Sequence, residues 1–243
     1  MKRCLLIISF VMVPWHFCAS QIWVGTDDFN SPTLDPSKWS GGGANFVKTP
    51  TAVTFFSNVN TGTVSDYILW SNNLPTDVNW SVTVQASISP SFSTGDSTKF
   101  AEALLVIASN DFNSYFTNCL HRGDTFDIVP NWEVNSGGNQ ELLSTIGMDT
   151  VLLKMDFNAS TQSITSSHAS LLDPSSFTAT KTLSTTGWGS LNNFVVAIGL
   201  YTKDTAISSG QLTLDNFSII PEPSALSLLV LGGVVVALGR RKK

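Results

Sequence analysis

The chain has 243 residues, and short apolar segments with charged flanks at its two ends enclose a middle part, 21–220, that is long enough for one domain with a sizeable core. The chain carries 13 basic and 18 acidic residues; without the six basic residues and one acid of the ends, the middle part has seven basic and 17 acidic residues. Such an acidic domain repels phosphate backbones, which excludes nucleic acid as a partner.

The N-terminus has the pattern of a secretory signal peptide. Lys2 and Arg3 precede the apolar run 4–15, and small residues follow near Ser20. A basic start, about a dozen apolar residues and a small-residue cleavage site are the signals for export. We therefore expect a signal peptide over 1–20 and a mature domain that begins at Gln21. That domain keeps one cysteine, Cys119, so it forms no internal disulfide, and we expect a buried apolar thiol.

The C-terminus combines a short motif, an apolar run and a basic end. Pro221-Glu222-Pro223 is followed by the run 226–238, and the predicted membrane stop consists of Arg240, Arg241, Lys242 and Lys243. The pattern predicts one apolar helix over about 225–239, at the short end for a membrane span. The basic end stays cytoplasmic by the positive-inside rule, which places the preceding domain outside the inner membrane.

Residues 221–243 resemble the PEP-CTERM sorting signal, since the Pro-Glu-Pro motif, the short apolar helix and the basic cluster occur in that order. The resemblance implies that exosortase, a membrane transpeptidase-like enzyme, reads Pro221, Glu222 and Pro223, and that the helix is a temporary anchor. Two prolines keep the backbone extended and accessible to such an enzyme. The alternative is a permanent tail anchor that follows the same three residues.

The sequence pattern of the middle part predicts an all-β domain. No amphipathic helix is indicated, and short alternating runs recur between turn residues. The predicted strands are 52–57, 65–70, 81–89, 100–109, 114–121, 150–157, 162–169, 193–202 and 211–219. Two of them, 100–109 and 193–202, are apolar on both faces and are expected at the centre of a sheet. This pattern predicts a two-sheet antiparallel β-sandwich.

Three segments resemble the concanavalin A-like lectin/glucanase superfamily, a jelly roll of two antiparallel sheets. They are the opening 27–39, with Asp27-Asp28-Phe29-Asn30, the central 103–115, and the closing 210–219. Their order and spacing fit across nearly the whole mature domain. The resemblance implies that the first and last strands lie close together.

Many proteins of that superfamily are glycosidases, whose two catalytic carboxylates follow a Glu-x-Asp-x-x-Glu or Glu-x-Asp-x-Glu pattern on one strand. The mature domain has only Glu102, Glu133 and Glu141, and none fits that pattern. No Gly-x-Ser-x-Gly elbow and no zinc motif is present. On these grounds the domain is expected not to be an enzyme, with no catalytic residue and no cofactor other than a structural Ca²⁺.

Two kinds of binding residue stand out. Trp132 and Trp188 lie beside glycines and are candidate sugar-stacking residues; core packing is the alternative for each. Asp27, Asp28 and Asp215 are candidate Ca²⁺ ligands if the first and last strands pair; the alternative is that they are turn acids in solvent.

The sequence thus predicts an exported, surface-sorted and non-enzymatic β-sandwich that binds or is embedded in extracellular polysaccharide. Its expected partners are the secretion machinery, exosortase, the inner membrane transiently, and that polysaccharide. It is expected at the cell surface or in the extracellular matrix. One alternative is a glycan-active hydrolase with an unusual site, for instance at Asp127 or Glu133. The other is a structural or adhesive matrix protein.

Overall fold

The computed structural model describes residues 23–222 except 97, 136, 141–143 and 189–191. All regular elements in these residues are β-strands, which form two antiparallel sheets packed face to face. The predicted all-β two-sheet sandwich is therefore confirmed.

The first sheet has eight strands. They are β1 (Gly25–Asp27), β3 (Phe46–Lys48), β4 (Val53–Ser57), β7 (Trp80–Ile88), β13 (Thr150–Asn158), β14 (Ser163–Ser170), β15 (Thr178–Ser184) and β17 (Ile207–Pro221). Their order is β15-β14-β13-β7-β17-β4-β3, and β1 pairs with β17. The first and last strands are thus neighbours, as predicted.

The second sheet has nine strands. They are β2 (Trp39–Gly41), β5 (Thr63–Trp70), β6 (Leu74–Pro75), β8 (Phe100–Ser109), β9 (Tyr115–Arg122), β10 (Phe126–Val134), β11 (Gly137–Gln140), β12 (Ser144–Thr145) and β16 (Asn193–Lys203). Their order is β11-β10-β9-β8-β16-β5-β2, while β12 pairs with β10 and β6 with β16. The two strands with apolar residues on both faces, β8 and β16, are central, as predicted.

The core lies between the sheets and follows from strand alternation. Along β13 every second residue is buried, from Val151 to Phe157, because successive side chains point to opposite faces. Aromatic rings fill the thickest parts of the core. The Trp39 ring meets the ring of Phe217 at 4.8 Å and that of Trp70 at 5.2 Å, which ties the opening segment to the last strand.

The sequence patterns missed several strands, of which β10 and β15 are the longest. Pro130 interrupts the pattern of β10, and proline is normally excluded from central strands. On the side away from β9, the partners of β10 stop at Ile128 and resume at Asn131, so Pro130 lies where that ladder is interrupted. β15 is mostly polar and exposed at the sheet edge, so it lacks an apolar pattern.

The predicted signal peptide (1–20) and the predicted C-terminal helix (about 225–239) lie outside the described residues. Within the part of the chain that the structure covers, no helix is long and apolar enough to cross a membrane.

Candidate functional site

A groove of about 850 Å³ lies on the outer face of the nine-stranded sheet. Its floor is a second apolar cluster, separate from the core. The cluster consists of Leu104, Val106, Ala108, Cys119 and Ala197, which point away from the first sheet because they alternate with the core residues of β8, β9 and β16. This floor belongs to the most central strands, so the groove rests on rigid elements.

Aromatic side chains line the groove. They are Tyr67, Phe100, Phe112, Tyr115 and Tyr201. Three of them, Tyr67, Tyr115 and Tyr201, pack onto the apolar floor. Tyrosine offers an apolar ring face together with a hydroxyl, which suits ligands that have both apolar and hydrogen-bonding surfaces.

The position of the Tyr67 ring depends on a glycine in the neighbouring strand. Gly199 on β16 lies directly opposite Tyr67 on β5. A Cβ added at Gly199 would lie 2.6 Å from the Tyr67 ring atom Cδ1 and 2.3 Å from the Asp66 carbonyl oxygen. The ring therefore leans into space that only a glycine leaves open.

A row of polar residues crosses one end of the floor. Glu102 on β8, His121 on β9 and Asp127 on β10 are direct cross-strand neighbours on the same face. His121 Nδ1 lies 3.0 Å from Glu102 Oε1, and the Thr125 hydroxyl donates to Asp127 Oδ2 at 2.8 Å. Glu102 lines the groove although its residue surface is only 2 % exposed. The row thus holds two carboxylates and an imidazole in fixed positions.

A further buried carboxylate lies behind the groove, that of Asp66, which is 6 % exposed. It alternates with Tyr67 along β5 and shares the inward face of that strand with Ile68. The backbone N–H of Gly43 donates to Asp66 Oδ1 at 2.7 Å, and that of Asn45 donates to Oδ2 at 2.9 Å. Asp66 therefore holds the glycine-rich wall in place from behind.

The titrating groups around the floor are shifted by burial and by these carboxylates. Burial, with the adjacent Glu133 carboxylate, raises the pKa of Tyr115 to about 12. Burial, with a smaller contribution from the Glu102 charge, raises the pKa of the Cys119 thiol well above its usual value. Cys119 is thus a buried neutral thiol, as predicted, and not an activated nucleophile.

The structure separates the two predicted sugar-binding tryptophans. Trp132 lies on β10 at the rim of the groove, but it pairs with the core residue Phe116. Its ring packs against the core and lies 4.6 Å from Lys181 Nζ of the first sheet. Trp188 is 3 % exposed and packs edge-on against Phe194 in the core, with ring centroids 6.0 Å apart. Its ring is not accessible to a sugar in this conformation.

The three predicted calcium ligands lie at the pairing of β1 with β17. Asp27 Oδ1 accepts the N–H of Phe29 at 2.8 Å, and its Oδ2 accepts the indole N–H of Trp39 at 2.9 Å. Burial, with a contribution from the nearby Asp28 charge, raises the pKa of Asp215. Over the described ranges, no group of three or more His, Cys, Asp or Glu is arranged to hold a metal ion. The Ca²⁺ site therefore stays a prediction.

The predicted sorting motif lies only partly in the described residues. Pro221 is the last residue of β17 and pairs with Trp80. The Glu222 N–H donates to the Asn79 carbonyl at 3.1 Å, and Glu222 Oε1 accepts the Ser81 hydroxyl at 2.9 Å. Pro223 and the membrane stop at 240–243 lie outside the described residues.

Comparisons with known proteins show the fold. No family model matches the sequence, and no curated protein matches it significantly. Three solved structures illustrate the similarity. An endo-1,3-beta-glucanase from Streptomyces sioyaensis is 11 % identical over 81 % of this chain and 95 % of its own, with a TM-score of 0.54. Lectin II from Ulex europaeus is 10 % identical over 82 % and 98 %, with a TM-score of 0.53. The GH43 BlXynB protein from Bacillus licheniformis is 14 % identical over 80 % and 38 %, with a TM-score of 0.53.

These similarities define a concanavalin-like, lectin- or glycoside hydrolase-type jelly roll, in line with the predicted resemblance. They contradict the prediction that the domain is not an enzyme, because glycoside hydrolases are among the structures that share its fold. That prediction relied on a carboxylate pattern within one strand. In this chain Glu102 and Asp127 reach the same face from two different strands, with His121 between them, and no linear motif reveals such a row.

Proposed function

We propose that the groove on the nine-stranded sheet binds a carbohydrate chain. The observation that carries the proposal is the combination of an apolar floor, three tyrosine rings and interspersed polar groups on one sheet face. Sugar rings have apolar faces that pack on aromatic rings and hydroxyls that need hydrogen-bond partners. Thr117 and Asn131 lie side by side on β9 and β10 and supply such partners beside the floor.

The solved lectins and glucanases with this fold support a carbohydrate ligand, although the identity is too low to transfer a particular sugar. The volume of about 850 Å³ lies within the ~300–1,000 Å³ typical of small-ligand sites. A groove on an open sheet face suits a chain of several sugar units that continues beyond the site at both ends.

Affinity electrophoresis of the full chain in gels with soluble polysaccharides tests this proposal. A detergent is needed because the full chain includes the predicted C-terminal membrane helix. It should be of the polyoxyethylene type, since a glycoside detergent would compete for the groove. We expect at least one polysaccharide to retard the protein, and Tyr67→Ala to reduce the retardation. The matched control is Phe177→Ala, which removes an aromatic ring that contacts Lys154 outside the groove. The proposal would be refuted if the two variants were retarded equally, or if no polysaccharide retarded the folded wild-type protein.

A second candidate function, cleavage of the bound chain, is favoured by the Glu102–His121–Asp127 row. Neighbouring strands lie ~4.8 Å apart, so the backbones of Glu102 and Asp127, two strands apart, are separated by about 9–10 Å. Carboxyl groups about 6.5–9.5 Å apart suit glycosidases that invert the anomeric configuration, because a water molecule fits between the carboxylate and the sugar. In this arrangement the ionised Glu102 is the general base and Asp127 the general acid.

Release of reducing ends from a panel of polysaccharides tests the second candidate. If the protein cleaves a chain, Glu102→Gln should lower the rate by ~100-fold or more, the usual contribution of a general base. Asp173→Asn, which changes a carboxylate in an exposed turn, is the control and should leave the rate unchanged. A Glu102→Gln variant with the full rate would remove Glu102 from the mechanism.

We also propose export and surface sorting, on the strength of the sequence patterns at 1–20 and 221–243. Exosortase, the secretion machinery and, transiently, the inner membrane are the partners of this step. Mass spectrometry of the protein from its host tests the proposal. A product that starts near Gln21 and ends near 221–224 is expected, whereas a product that retains Lys243 would indicate a permanent anchor.

A further inference from the structure

The charges around the groove are arranged with one sign. The Glu102 carboxylate lines it at one end of the apolar floor. Asp127 and Glu133 continue the same face on β10. No lysine or arginine is among the described residues that line the groove. Lys203 lies on the same face only at its outer end, beside Phe100, and is exposed to solvent.

The partners of these carboxylates add no permanent positive charge. Glu102 pairs with the His121 ring, which is charged only when protonated. A ligand in the groove therefore meets carboxylates that no lysine or arginine among the described lining residues offsets.

Groups in and beside the floor respond to this potential. The Glu102 charge adds to burial in raising the pKa of Tyr201 and that of Cys119, and the Glu133 carboxylate does the same for Tyr115. Each of these groups would become negative on losing its proton, and each is held neutral. A negative group on a ligand is disfavoured there for the same reason.

We infer that the groove selects uncharged glycan chains and excludes chains that carry carboxylate or sulfate groups. This inference rests on the proposed carbohydrate binding and adds the class of chain. Two like charges at close range in a partly desolvated site repel strongly, so an acidic chain with the same backbone should bind about tenfold more weakly, or worse.

Pairs of polysaccharides that share a backbone and differ in charged substituents provide the test. Hydroxyethylcellulose with carboxymethylcellulose, and methyl-esterified polygalacturonate with polygalacturonate, are compared by affinity electrophoresis of the full chain at low salt. We expect retardation by a neutral member and weak or no retardation by its acidic counterpart. The difference in retardation between the neutral and the acidic chain should become smaller at ~0.5 M salt, because the Debye length there falls to a few ångströms.

Two variants distinguish the effect of the charges in the groove from the effect of the overall charge of the protein. Glu102→Gln keeps a hydrogen-bonding side chain beside His121 and removes the charge, so it should narrow the preference. Asp173→Asn removes the same charge from an exposed turn and should leave the preference unchanged. If Glu102→Gln does not fold, Glu133→Gln, which removes a charge from the same face of β10, takes its place and should have the same effect.

The possible failures are distinguishable. Equal or stronger binding of the acidic chains overturns the inference and leaves carbohydrate binding intact. A preference that persists at high salt and in folded Glu102→Gln also overturns it, because the carboxylates would not be its cause. Folded protein that binds neither member of any pair overturns the proposed function itself.

Discussion

Replacement of Gly199 by alanine tests whether the groove depends on the close approach of β5 and β16. The new Cβ would lie 2.3 Å from the Asp66 carbonyl oxygen and 2.6 Å from the Tyr67 ring. Contacts of a real Cβ below 3.0 Å essentially never occur. The carbonyl belongs to the backbone of a central strand pair and cannot rotate away, so the strands must separate and the Tyr67 ring must tilt.

The size of the effect follows from these contacts. Overpacking of a well-packed region costs about 1–3 kcal/mol in the free energy of unfolding. A tilted ring also loses its contact with the ligand. If a sugar covers roughly 50 Å² of the ring face, at ~25 cal/mol/Å² the loss is about 1 kcal/mol, or roughly a fivefold weaker affinity. We therefore expect Gly199→Ala to lower both stability and affinity.

Denaturant unfolding measures the first effect, and affinity electrophoresis on a retarding polysaccharide measures the second. Gly138→Ala is the matched control, because a Cβ at this other groove-lining glycine has nothing within 4 Å. The control should keep the wild-type stability or exceed it slightly. A Gly199→Ala protein with unchanged midpoint and unchanged retardation would refute the view that this glycine positions Tyr67.

Three further predictions concern polar groups that hold the sandwich together. Asn118→Ala should lower the unfolding free energy by roughly 2–3 kcal/mol, because the buried Asn118 amide donates to the carbonyls of Lys154 and Ser167 in the other sheet at 3.2 and 2.8 Å. Asn118→Leu should cost less, since the leucine refills the space, and equal losses of stability in denaturant unfolding would contradict this. Asp27→Ala should cost about 1–3 kcal/mol in the same assay, because the indole N–H of Trp39 loses its acceptor; a change below ~0.5 kcal/mol would contradict it. Burial lowers the pKa of His168 below 6.5, so as the pH falls the unfolded state binds a proton before the folded state does, and stability should decrease below pH 6.5. In thermal unfolding across pH 5–8, the melting temperature of His168→Gln should decrease less steeply than that of the wild type. Identical pH profiles would contradict this prediction.

Much of the fold is readable from local patterns. The alternation in β7 and β13 fixes which side chains face the core, since the period of a strand is two. The apolar runs of β8 and β16 indicate central strands, because a strand covered on both faces buries both sets of side chains. The tryptophans at 39, 70 and 80 are buried in that core.

The candidate site is less readable, because its parts are distant in sequence. Tyr67 and Gly199 meet only when β5 pairs with β16. The sequence of β10 shows no strand signal, because it contains Pro130. Tyr67 and Tyr201 are marked in the sequence only as aromatic residues within strands, and nothing local shows that they face outward over a second apolar cluster.

The sequence by itself determined the class of fold, the central strands and the acidic character of the domain, because these depend on composition and on the period of two. Only the tertiary structure decided which polar residues act together. Cross-strand pairing aligns Glu102, His121 and Asp127 in one row, and strand order places that row beside the tyrosines. It also decided that Trp188 packs against Phe194 rather than facing solvent. Register and strand order arise from long-range packing, which no local spacing encodes.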